Sequence, residues 1–308
     1  MSKQFLIDGF NLAFRSQHAF QGIPTSDGPT SGGFYIFLNV LKSLKKKFPD
    51  AHFSIAWDGG SNRRKAVFPA YKATRGTARL LLPLQDLKLC LTHANIEQLE
   101  LPGEEADDIL ASRVDKAPDL CYIYTADKDL LQLVSNGRVV VITPKHGKNP
   151  EKAYDEEAVQ IKYSVTPANL TCYFAFKGDS CDNIPGVSRI PERLIAVLTN
   201  KYHTPTEIYK HLAEETKLTD FQRQSLLNAQ DQVILNYSLV SLVKDLNLSI
   251  ITGTPNVEQF QAFLDKYSIK SIKAADFIEA FNNEGSSYRT GPGVVSESLF
   301  DFSELGIT

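Results

Sequence analysis

The chain has 308 residues, 43% of them hydrophobic, so it is long enough for one large domain or two modest ones with a real core. A net charge of −3 excludes a global basic field, and any nucleic-acid surface must therefore be a local patch. Four scattered cysteines without a Cys-x-x-Cys pair argue against zinc and disulfides, and no apolar run predicts a signal core or a membrane span.

The first predicted elements are two short apolar strands that each end in an Asp-Gly pair. Gln4–Ile7 delivers Asp8, and His52–Trp57 delivers Asp58. Between them, Thr30 precedes an amphipathic helix whose apolar positions recur at helical spacing. Its other face carries a run of lysines, for which a solvated surface is the favoured interpretation: Lys42, Lys45, Lys46 and Lys47.

A basic segment that contains aromatic residues follows the second strand. Within Ser61–Arg79 the cations are interleaved with Phe68 and Tyr71, a composition that suits phosphate contacts and base stacking. Lys72 and Arg75 lie one helical turn apart, directly after the tyrosine. The segment is therefore a candidate nucleic-acid contact.

The stretch GEEADD (Gly103–Asp108) places Glu105, Asp107 and Asp108 at the start of a helix. Acidic residues suit a first helical turn, so a capped, solvated helix start is the plain interpretation of this stretch alone. Three carboxylates this close also repel one another, and a bound cation relieves that repulsion.

Leu120–Thr125 is a continuous apolar run typical of a central parallel strand, and it is followed by Asp127 and Asp129. Arg138–Ile142 predicts another strand. Strands separated by helices predict an α/β fold with a doubly wound, mostly parallel sheet. In such sheets the site lies outside the carboxyl ends of the strands, near the reversal of strand order. We therefore predict that the seven carboxylates named so far line one cleft.

Beyond about residue 145 the pattern becomes helical. The predicted elements there are a helix start at Thr166 and Pro167, a capping box of Thr219 with Gln222 that opens a helix to about Leu235, and helices at Val257–Tyr267 and Ile272–Phe281. We predict a core over residues 1–165, a helical region over 166–283, and a flexible linker with an acidic-apolar tail over 284–308.

In order and spacing, these motifs resemble those of the 5′-nucleases of the flap-endonuclease superfamily. The chain is most similar to the 5′→3′ exonuclease domain of bacterial family A DNA polymerases and to free-standing phage 5′-exonucleases, over about residues 3 to 250. The motifs that carry the resemblance are LIDGFNLAFR, WDGGSNRRKAVFPAYKATR, GEEADD, TADKDLLQL and GDSCDNIPGV. Each motif is weak alone, and the set is specific.

The resemblance implies a two-metal phosphodiesterase with Mg²⁺ or Mn²⁺, the ions that oxygen ligands suit. By this similarity the first ion would be served, directly or through water, by Asp8, Asp58, Glu105, Asp107 and Asp108. Asp127 and Asp129 would lie between the ions, and Asp179 and Asp182 would hold the second. Catalytic charge on the scissile phosphate would come from Lys72 and Arg75, and DNA contacts from Arg64 and Tyr71.

The resemblance also implies a helical arch over the cleft and a helix–hairpin–helix element that holds duplex backbone, often with K⁺. The segment between Gly76 and Pro83 is short, so the arch should be modest. The hairpin reads GVSRIPER, with Arg189 and Pro191 where the family has glycines and Arg193 at its basic position. We therefore predict duplex contacts from the two arginines and less dependence on K⁺; the alternative is that Arg189 is a solvated surface residue and the duplex is held mainly elsewhere.

The implied activity is 5′→3′ exonuclease and flap-endonuclease cleavage that leaves 5′-phosphates, on 5′ flaps, overhangs, ends and RNA–DNA primer junctions. The implied setting is replication or repair in the cytoplasm of a bacterial or phage-infected cell, by a monomer without a membrane contact. The tail LFDFSELGIT is a candidate docking peptide for a replisome protein, although packing onto the body or disorder is favoured.

Two other functions remain open on the sequence. An acidic-core ribonuclease would share the α/β half, but the aspartate pair Asp179 and Asp182 in a helical second half counts against it. A structure-specific DNA-binding protein without catalysis is the second alternative. The intact carboxylates count against it, because a protein that only binds DNA gains nothing from acids that face phosphate.

Overall fold

The computed structural model describes residues 3–19, 29–73, 80–117, 120–145, 147 and 149–282. The strands are β1 (Lys3–Asp8), β2 (Ala51–Ala56), β3 (Glu97–Glu100), β4 (Leu120–Tyr124), β5 (Val139–Thr143), β6 (Lys152–Tyr154) and β7 (Ser249–Ile251). The α-helices are α1 (Gly9–Ala19), α2 (Pro29–Lys47), α3 (Asn62–Val67), α4 (Leu84–His93), α5 (Ala106–Lys116), α6 (Glu156–Tyr163), α7 (Leu170–Lys177), α8 (Glu192–Tyr202), α9 (Pro205–His211), α10 (Asp220–Asn228), α11 (Gln230–Val240), α12 (Val257–Lys266) and α13 (Ala274–Asn282). Within the described ranges, no helix combines the length and the apolar character needed to cross a membrane.

One sheet of seven strands forms the centre, in the order β6-β5-β4-β1-β2-β3-β7. Strands β1 to β5 are parallel, whereas the edge strands β6 and β7 pair in the antiparallel sense. From β1 the chain continues to β2 and β3 on one side and to β4 and β5 on the other, so strand order reverses between β1 and β4. The predicted doubly wound, mostly parallel sheet is confirmed, and its switch point lies at the carboxyl ends of β1 and β4.

Each face of the sheet is covered by its own hydrophobic core, because successive strand side chains point to opposite faces. Leu6 and Ile123 lie in the core shared with α5, α7 and α11. Phe5 and Ile7 lie in the core shared with α2, α4, α12 and α13. Both cores brace the same strands, so the carboxyl edge of the sheet is a rigid platform for the side chains placed on it.

The C-terminal region differs from the prediction in two places. The capping box of Thr219 and Gln222 is confirmed, but the helix it opens ends at Asn228, and α11 begins after Ala229. The stretch Ser249–Ile251 adds an edge strand, β7, that pairs with β3, while α12 packs on α4 and α13 on α2. Residues 249–282 thus return to the sheet, and the predicted domain boundaries stay a prediction.

Lys45, predicted on a solvated helix face, is buried. Its ammonium donates hydrogen bonds to the carbonyl oxygens of Pro49 at 2.8 Å and Ala51 at 3.0 Å, just beyond the end of α2. It also lies 5.3 Å from the centre of the Phe53 ring. A lysine can be buried when carbonyl oxygens and an aromatic ring stabilise its ammonium. The helical pattern of the sequence does not show these partners, so it cannot predict the burial.

Candidate active site

Asp8 and Asp127 lie at the switch point, and both form a hydrogen bond with the hydroxyl of Thr125. Asp8 ends β1, and one of its carboxylate oxygens accepts from the Asn11 N–H at 2.9 Å while the other accepts from the Thr125 hydroxyl at 3.0 Å. The same hydroxyl accepts from the Asp127 N–H at 3.0 Å. Thr125 therefore fixes the spacing of two carboxylates that follow neighbouring strands.

Asp107 and Asp58 complete a first acidic group, which consists of Asp8, Asp58, Asp107 and Asp127. Asp107 lies in the first turn of α5, and Asp58 follows β2 and accepts from the Gly60 N–H at 2.8 Å. Burial, and after it the charges of Asp127 and Asp8, raise the pKa of Asp107 well above its usual value. Burial and the charge of Asp127 raise the pKa of Asp8 to about 6. A cation among these oxygens would relieve the repulsion.

A second acidic group consists of Asp129, Asp179 and Asp182, whose carboxylate oxygens lie within 4.8 Å of one another. The groups are adjacent, because Asp127 accepts from the Asp129 N–H at 2.9 Å. Burial and then the charge of Asp127 raise the pKa of Asp129 well above its usual value. Oδ1 of Asp129 is buried and has no hydrogen-bond partner within the described part of the chain. A buried oxygen of this kind, in a set of oxygen donors only, fits a hard divalent cation.

Asp108, predicted to serve the first ion, is instead held by arginines. The Arg64 guanidinium contacts both of its oxygens, and Nη2 of Arg63 lies 2.9 Å from one of them. The Val243 N–H donates to the other oxygen at 2.9 Å. These contacts count against the predicted metal role of Asp108, because its fully buried oxygens already accept from donors of the chain.

Glu105, the N-cap residue of α5, lies between Arg64 and the acidic groups. One of its oxygens accepts from the Ser61 hydroxyl at 2.9 Å and contacts the Lys72 ammonium, and the other contacts Arg64. Burial acts to raise the pKa of Glu105, but the charges of Lys72 and Arg64 outweigh it and hold the pKa below its usual value. Of the two routes predicted for Glu105 to a metal ion, direct or through water, this arrangement favours water.

Arg64, predicted to contact DNA, is a structural residue. Only 7% of it is exposed, and its Nε donates to the Leu239 carbonyl at 2.7 Å and its Nη2 to the Ser241 carbonyl at 3.1 Å. Glu105 and Asp108 accept from the remaining donors of the guanidinium, so none of its N–H groups is left to bind a phosphate. It joins α3 and α5 to the end of α11, and this burial counts against the predicted DNA contact.

We expect Arg64→Lys to destabilise the protein by about 2 kcal/mol, the scale of lost hydrogen bonds to charged groups. Lysine keeps the charge but cannot reach two carboxylates and two carbonyls at once. Denaturant unfolding measures the difference. Arg63→Lys is the matched control: its side chain is 38% exposed, so its change should stay within about 1 kcal/mol. Equal effects in the two variants would contradict the structural role of Arg64.

Tyr71 and Lys72 reach the acidic groups from the turn after α3. Tyr71, predicted to stack on a base, is only 4% exposed, and its hydroxyl lies 3.2 Å from Glu105 and 3.1 Å from Asp182. Burial and then these two carboxylates raise its pKa. The burial of its ring counts against the predicted DNA contact of Tyr71. The Lys72 ammonium contacts Glu105 and lies 3.9 Å from the Asp182 carboxylate. The backbone N–H of Lys72 donates to the backbone carbonyl of Asp182 at 3.0 Å. Arg75 and most of the predicted arch lie outside the described residues.

A hairpin, residues 178–191, joins α7 to α8 and carries Asp179 and Asp182. It is closed by paired backbone hydrogen bonds of 2.8 Å between Asp179 and Ile184. At Gly186 a Cβ atom would lie 2.0 Å from the Lys177 carbonyl oxygen, so only glycine permits this approach. Asn236 of α11 donates to the Pro185 carbonyl at 2.7 Å and fixes the hairpin on the helical region.

Arg189 and Arg193 are both exposed on this hairpin and the first turn of α8. Arg189 has a φ of 59°, a left-handed conformation that explains why a glycine is suited to this position. Its guanidinium carbon lies 5.7 Å from the centre of the Phe221 ring, on α10. The side chain is therefore supported by an aromatic face while the residue stays exposed.

Sequence reasoning missed three residues that position the site: Thr125, Ser61 and Asn236. Each carried a weak signal. Thr125 is a hydroxyl residue between an apolar strand and an aspartate, and Ser61 precedes the basic segment. Asn236 is an amide within the apolar run VILNYSLV. In each case the partner lies far along the chain or in another element, so the local pattern could not assign the contact.

The seven-stranded sheet with its acidic edge and the helix–hairpin–helix element that follows it both lie within matches to known families. Residues 3–164 match the family described as "5'-3' exonuclease, N-terminal resolvase-like domain", and residues 165–262 match "5'-3' exonuclease, C-terminal SAM fold". The chain belongs to the 5′-3′ exonuclease family.

Curated relatives agree with this assignment. A 5'-3' exonuclease of Aquifex aeolicus is 30% identical over 283 residues, which cover 88% of this chain and 94% of the relative. The thermostable DNA polymerase I of Thermus aquaticus is 32% identical over 275 residues, which cover 87% of this chain and 32% of the polymerase. The chain thus spans about a third of the length of such polymerases.

Solved structures share the fold. The T5 D15 protein co-crystallised with metal ions has a TM-score of 0.61 at 20% identity, covering 90% of this chain and 99% of that one. The catalytic core of Rad2 in complex with a DNA substrate has a TM-score of 0.59 at 12% identity, covering 90% and 92%. At these identities the likeness shows a common fold.

Proposed function

We propose that this protein is a divalent-metal-dependent DNA 5′-nuclease, both a 5′→3′ exonuclease and a flap endonuclease, that cuts near single-strand/double-strand junctions. The observation that carries the proposal is the acidic edge of the sheet, where the two acidic groups meet between Asp127 and Asp129. Acids repel DNA phosphates unless cations lie between them, so such an edge in a nuclease favours metal-assisted hydrolysis. The T5 flap endonuclease solved with DNA and metal ions supports the same function.

The first acidic group would hold one ion and the second acidic group another, with Asp127 and Asp129 between them. Their oxygen donors suit Mg²⁺ or Mn²⁺. When bound, such ions lower the pKa of water and neutralise charge on phosphoryl oxygens. Glu105 would act through water, as its contacts with Ser61 and Lys72 favour.

Lys72 would supply a fixed positive charge to the scissile phosphate. Its side chain is mostly buried, and Glu105 and the Tyr71 ring, 4.9 Å from the ammonium, hold it beside Asp182. A charge that is already in place needs no reorganisation when negative charge develops on the phosphate. Arg75 keeps its predicted catalytic role as part of this proposal. The products would carry 5′-phosphates and 3′-hydroxyls.

One assay tests the function and separates it from the alternatives. A flap duplex labelled at the 5′ end of its flap is incubated with the protein in Mg²⁺, in EDTA and beside single-stranded RNA of the same length. We expect Mg²⁺-dependent release of fragments cut near the junction. Preferred cutting of the RNA would favour the acidic-core ribonuclease, and tight binding of the flap without cutting would favour the structure-specific binding protein.

The natural substrates would be 5′ flaps, overhangs, ends and RNA–DNA primer junctions in replication or repair. The predicted linker and tail, residues 284–308, lie outside the described residues, so a replisome contact through the tail stays a prediction. The monomeric state also stays a prediction.

Arg189→Ala tests how the hairpin holds duplex DNA. We expect the slope of log K against log[salt] for flap binding to fall by roughly one unit, as the loss of one phosphate contact predicts. Alanine keeps the Cβ atom at the positive φ, so backbone strain is unchanged and only the guanidinium is lost.

Lys210→Ala is the control, because this exposed lysine of α9 pairs with Glu207 in the same helix and does not belong to the hairpin. Its salt slope should stay at the wild-type value. Exchange of K⁺ for a non-coordinating cation at fixed ionic strength completes the test. An unchanged slope for Arg189→Ala, or a specific requirement for K⁺, would show that the duplex is held by other groups.

A further inference from the structure

Lys128 is a cation built into the second acidic group. It stands between Asp127 and Asp129 in the chain, and its ammonium lies 2.9 Å from Oδ2 of Asp179. The same ammonium lies 5.3 Å from the centre of the Phe174 ring, which supports it from α7. The ion pair therefore joins the two segments that supply the second acidic group.

Both oxygens of Asp179 have donors in this arrangement. Oδ1 accepts from the Cys181 N–H at 2.9 Å, and Oδ2 contacts Lys128. A metal ion that binds Asp179 must therefore share an oxygen with the Cys181 N–H, share the other with the ammonium, or displace the ammonium, and in each case the lysine charge lies close to the metal unless it moves away. Displacement of the ammonium costs little free energy, because the lysine side chain is 35% exposed and is long enough for the ammonium to move into solvent.

We infer that Lys128 is a resident counter-ion that sets the affinity of the second acidic group for a divalent cation. The inference rests on the proposed function, which places a metal ion at this group. Two positive charges at one set of carboxylates repel each other, so the lysine weakens metal binding while it stabilises the carboxylates before the metal arrives. The competing interpretation is an ion pair of no consequence, as partly exposed pairs often are.

The chain supplies a closely matched control in Lys177. This lysine is 32% exposed, pairs with Glu192 at 2.9 Å and lies 5.5 Å from the centre of the Tyr173 ring. Lys128 and Lys177 thus share exposure, ion-pair distance and aromatic support. They differ in the partner, since Glu192 is not one of the acidic residues assigned to metal binding.

The experiment is calorimetric titration of the full chain with Mn²⁺, for the wild type, Lys128→Met and Lys177→Met. Asp182→Asn identifies which binding step belongs to the second acidic group. We expect Lys128→Met to tighten that step by roughly tenfold, the order expected when one unit charge leaves a partly exposed site. Lys177→Met should leave it within about twofold.

Thermal unfolding gives a second measurement. In EDTA, the Tm of Lys128→Met should be lower than that of the wild type. Saturating Mn²⁺ should raise the Tm of Lys128→Met by more than it raises the Tm of the wild type. Unchanged affinity would overturn the inference, and weaker affinity would show that Lys128 orients Asp179 for the metal. If Lys128→Met does not fold, Lys128→Gln is titrated against the same expectations. A wild-type chain that binds no Mn²⁺ would overturn the metal sites of the proposed function, and the inference with them.

Discussion

Asp127→Asn is expected to lower Mg²⁺-dependent cleavage of a flap substrate by about a thousandfold or more while DNA binding is kept or improved. Asp127 belongs to the first acidic group and borders the second, so its charge acts on both. Bound metal ions supply several kcal/mol of stabilisation to a phosphoryl transition state, and loss of a shared ligand forfeits much of it. One fewer carboxylate also repels DNA less. Single-turnover cleavage in Mg²⁺ and flap binding in EDTA measure the two effects.

The control is Asp276→Asn, since this exposed aspartate of α13 lies outside both acidic groups. It should cleave at the wild-type rate. Thermal unfolding in EDTA adds a readout that does not depend on activity. Removal of one charge from a repelling cluster should raise the Tm of Asp127→Asn, whereas Asp276→Asn should not. Near-normal cleavage by Asp127→Asn in Mg²⁺ would show that the assignment of the acidic groups is mistaken.

The acidic edge could be predicted because topology brings it together. Parallel strands present their carboxyl ends at one edge of a sheet, so acids that follow apolar strands must converge there. Asp8, Asp58 and Asp127 follow β1, β2 and β4 in this way. The prediction needed only strand identity, which continuous apolar runs indicate well.

The roles of individual side chains within the edge could not be predicted in the same way. Asp107 and Asp108 are neighbours, but successive residues on a helix point about 100° apart, so they face different surroundings. Asp107 joins the first acidic group, whereas Asp108 pairs with Arg64, which lies 44 residues earlier in the chain. The sequence shows the charges but not this long-range partner.

Composition also failed to distinguish buried from exposed residues in the basic segment. Cations interleaved with aromatic residues suit nucleic acid, so the sequence pattern predicts DNA or phosphate contacts for Arg64, Tyr71 and Lys72 alike. The first two are buried by their partners in α5, the hairpin and the end of α11.

The sequence does not predict β7 for another reason: a strand of three residues is too short for an alternating pattern to stand out.

Lys72→Ala is expected to lower the single-turnover cleavage rate by roughly a hundredfold, the scale for loss of one preorganised charge in a transition state. Flap affinity should fall only modestly, because one phosphate contact among several contributes little to binding. Rapid-quench cleavage with enzyme in excess gives the rate, and binding in EDTA gives the affinity. Lys72 has a φ of 57°, and alanine carries the same Cβ atom, so backbone strain does not confound the comparison.

The structure also offers Lys72 a purely structural role, as the counter-ion of Glu105. The two roles differ in their response to metal. If Lys72 only neutralises Glu105, its loss should lower the Tm and change the Mg²⁺ concentration needed for half-maximal cleavage, yet saturating Mg²⁺ should restore the rate. If it acts on the phosphate, the deficit should persist at saturating Mg²⁺, and Lys72→Arg should recover part of the rate by returning a positive charge to the same place. Full restoration of Lys72→Ala by Mg²⁺ would remove Lys72 from the catalytic residues and leave it as a support for Glu105.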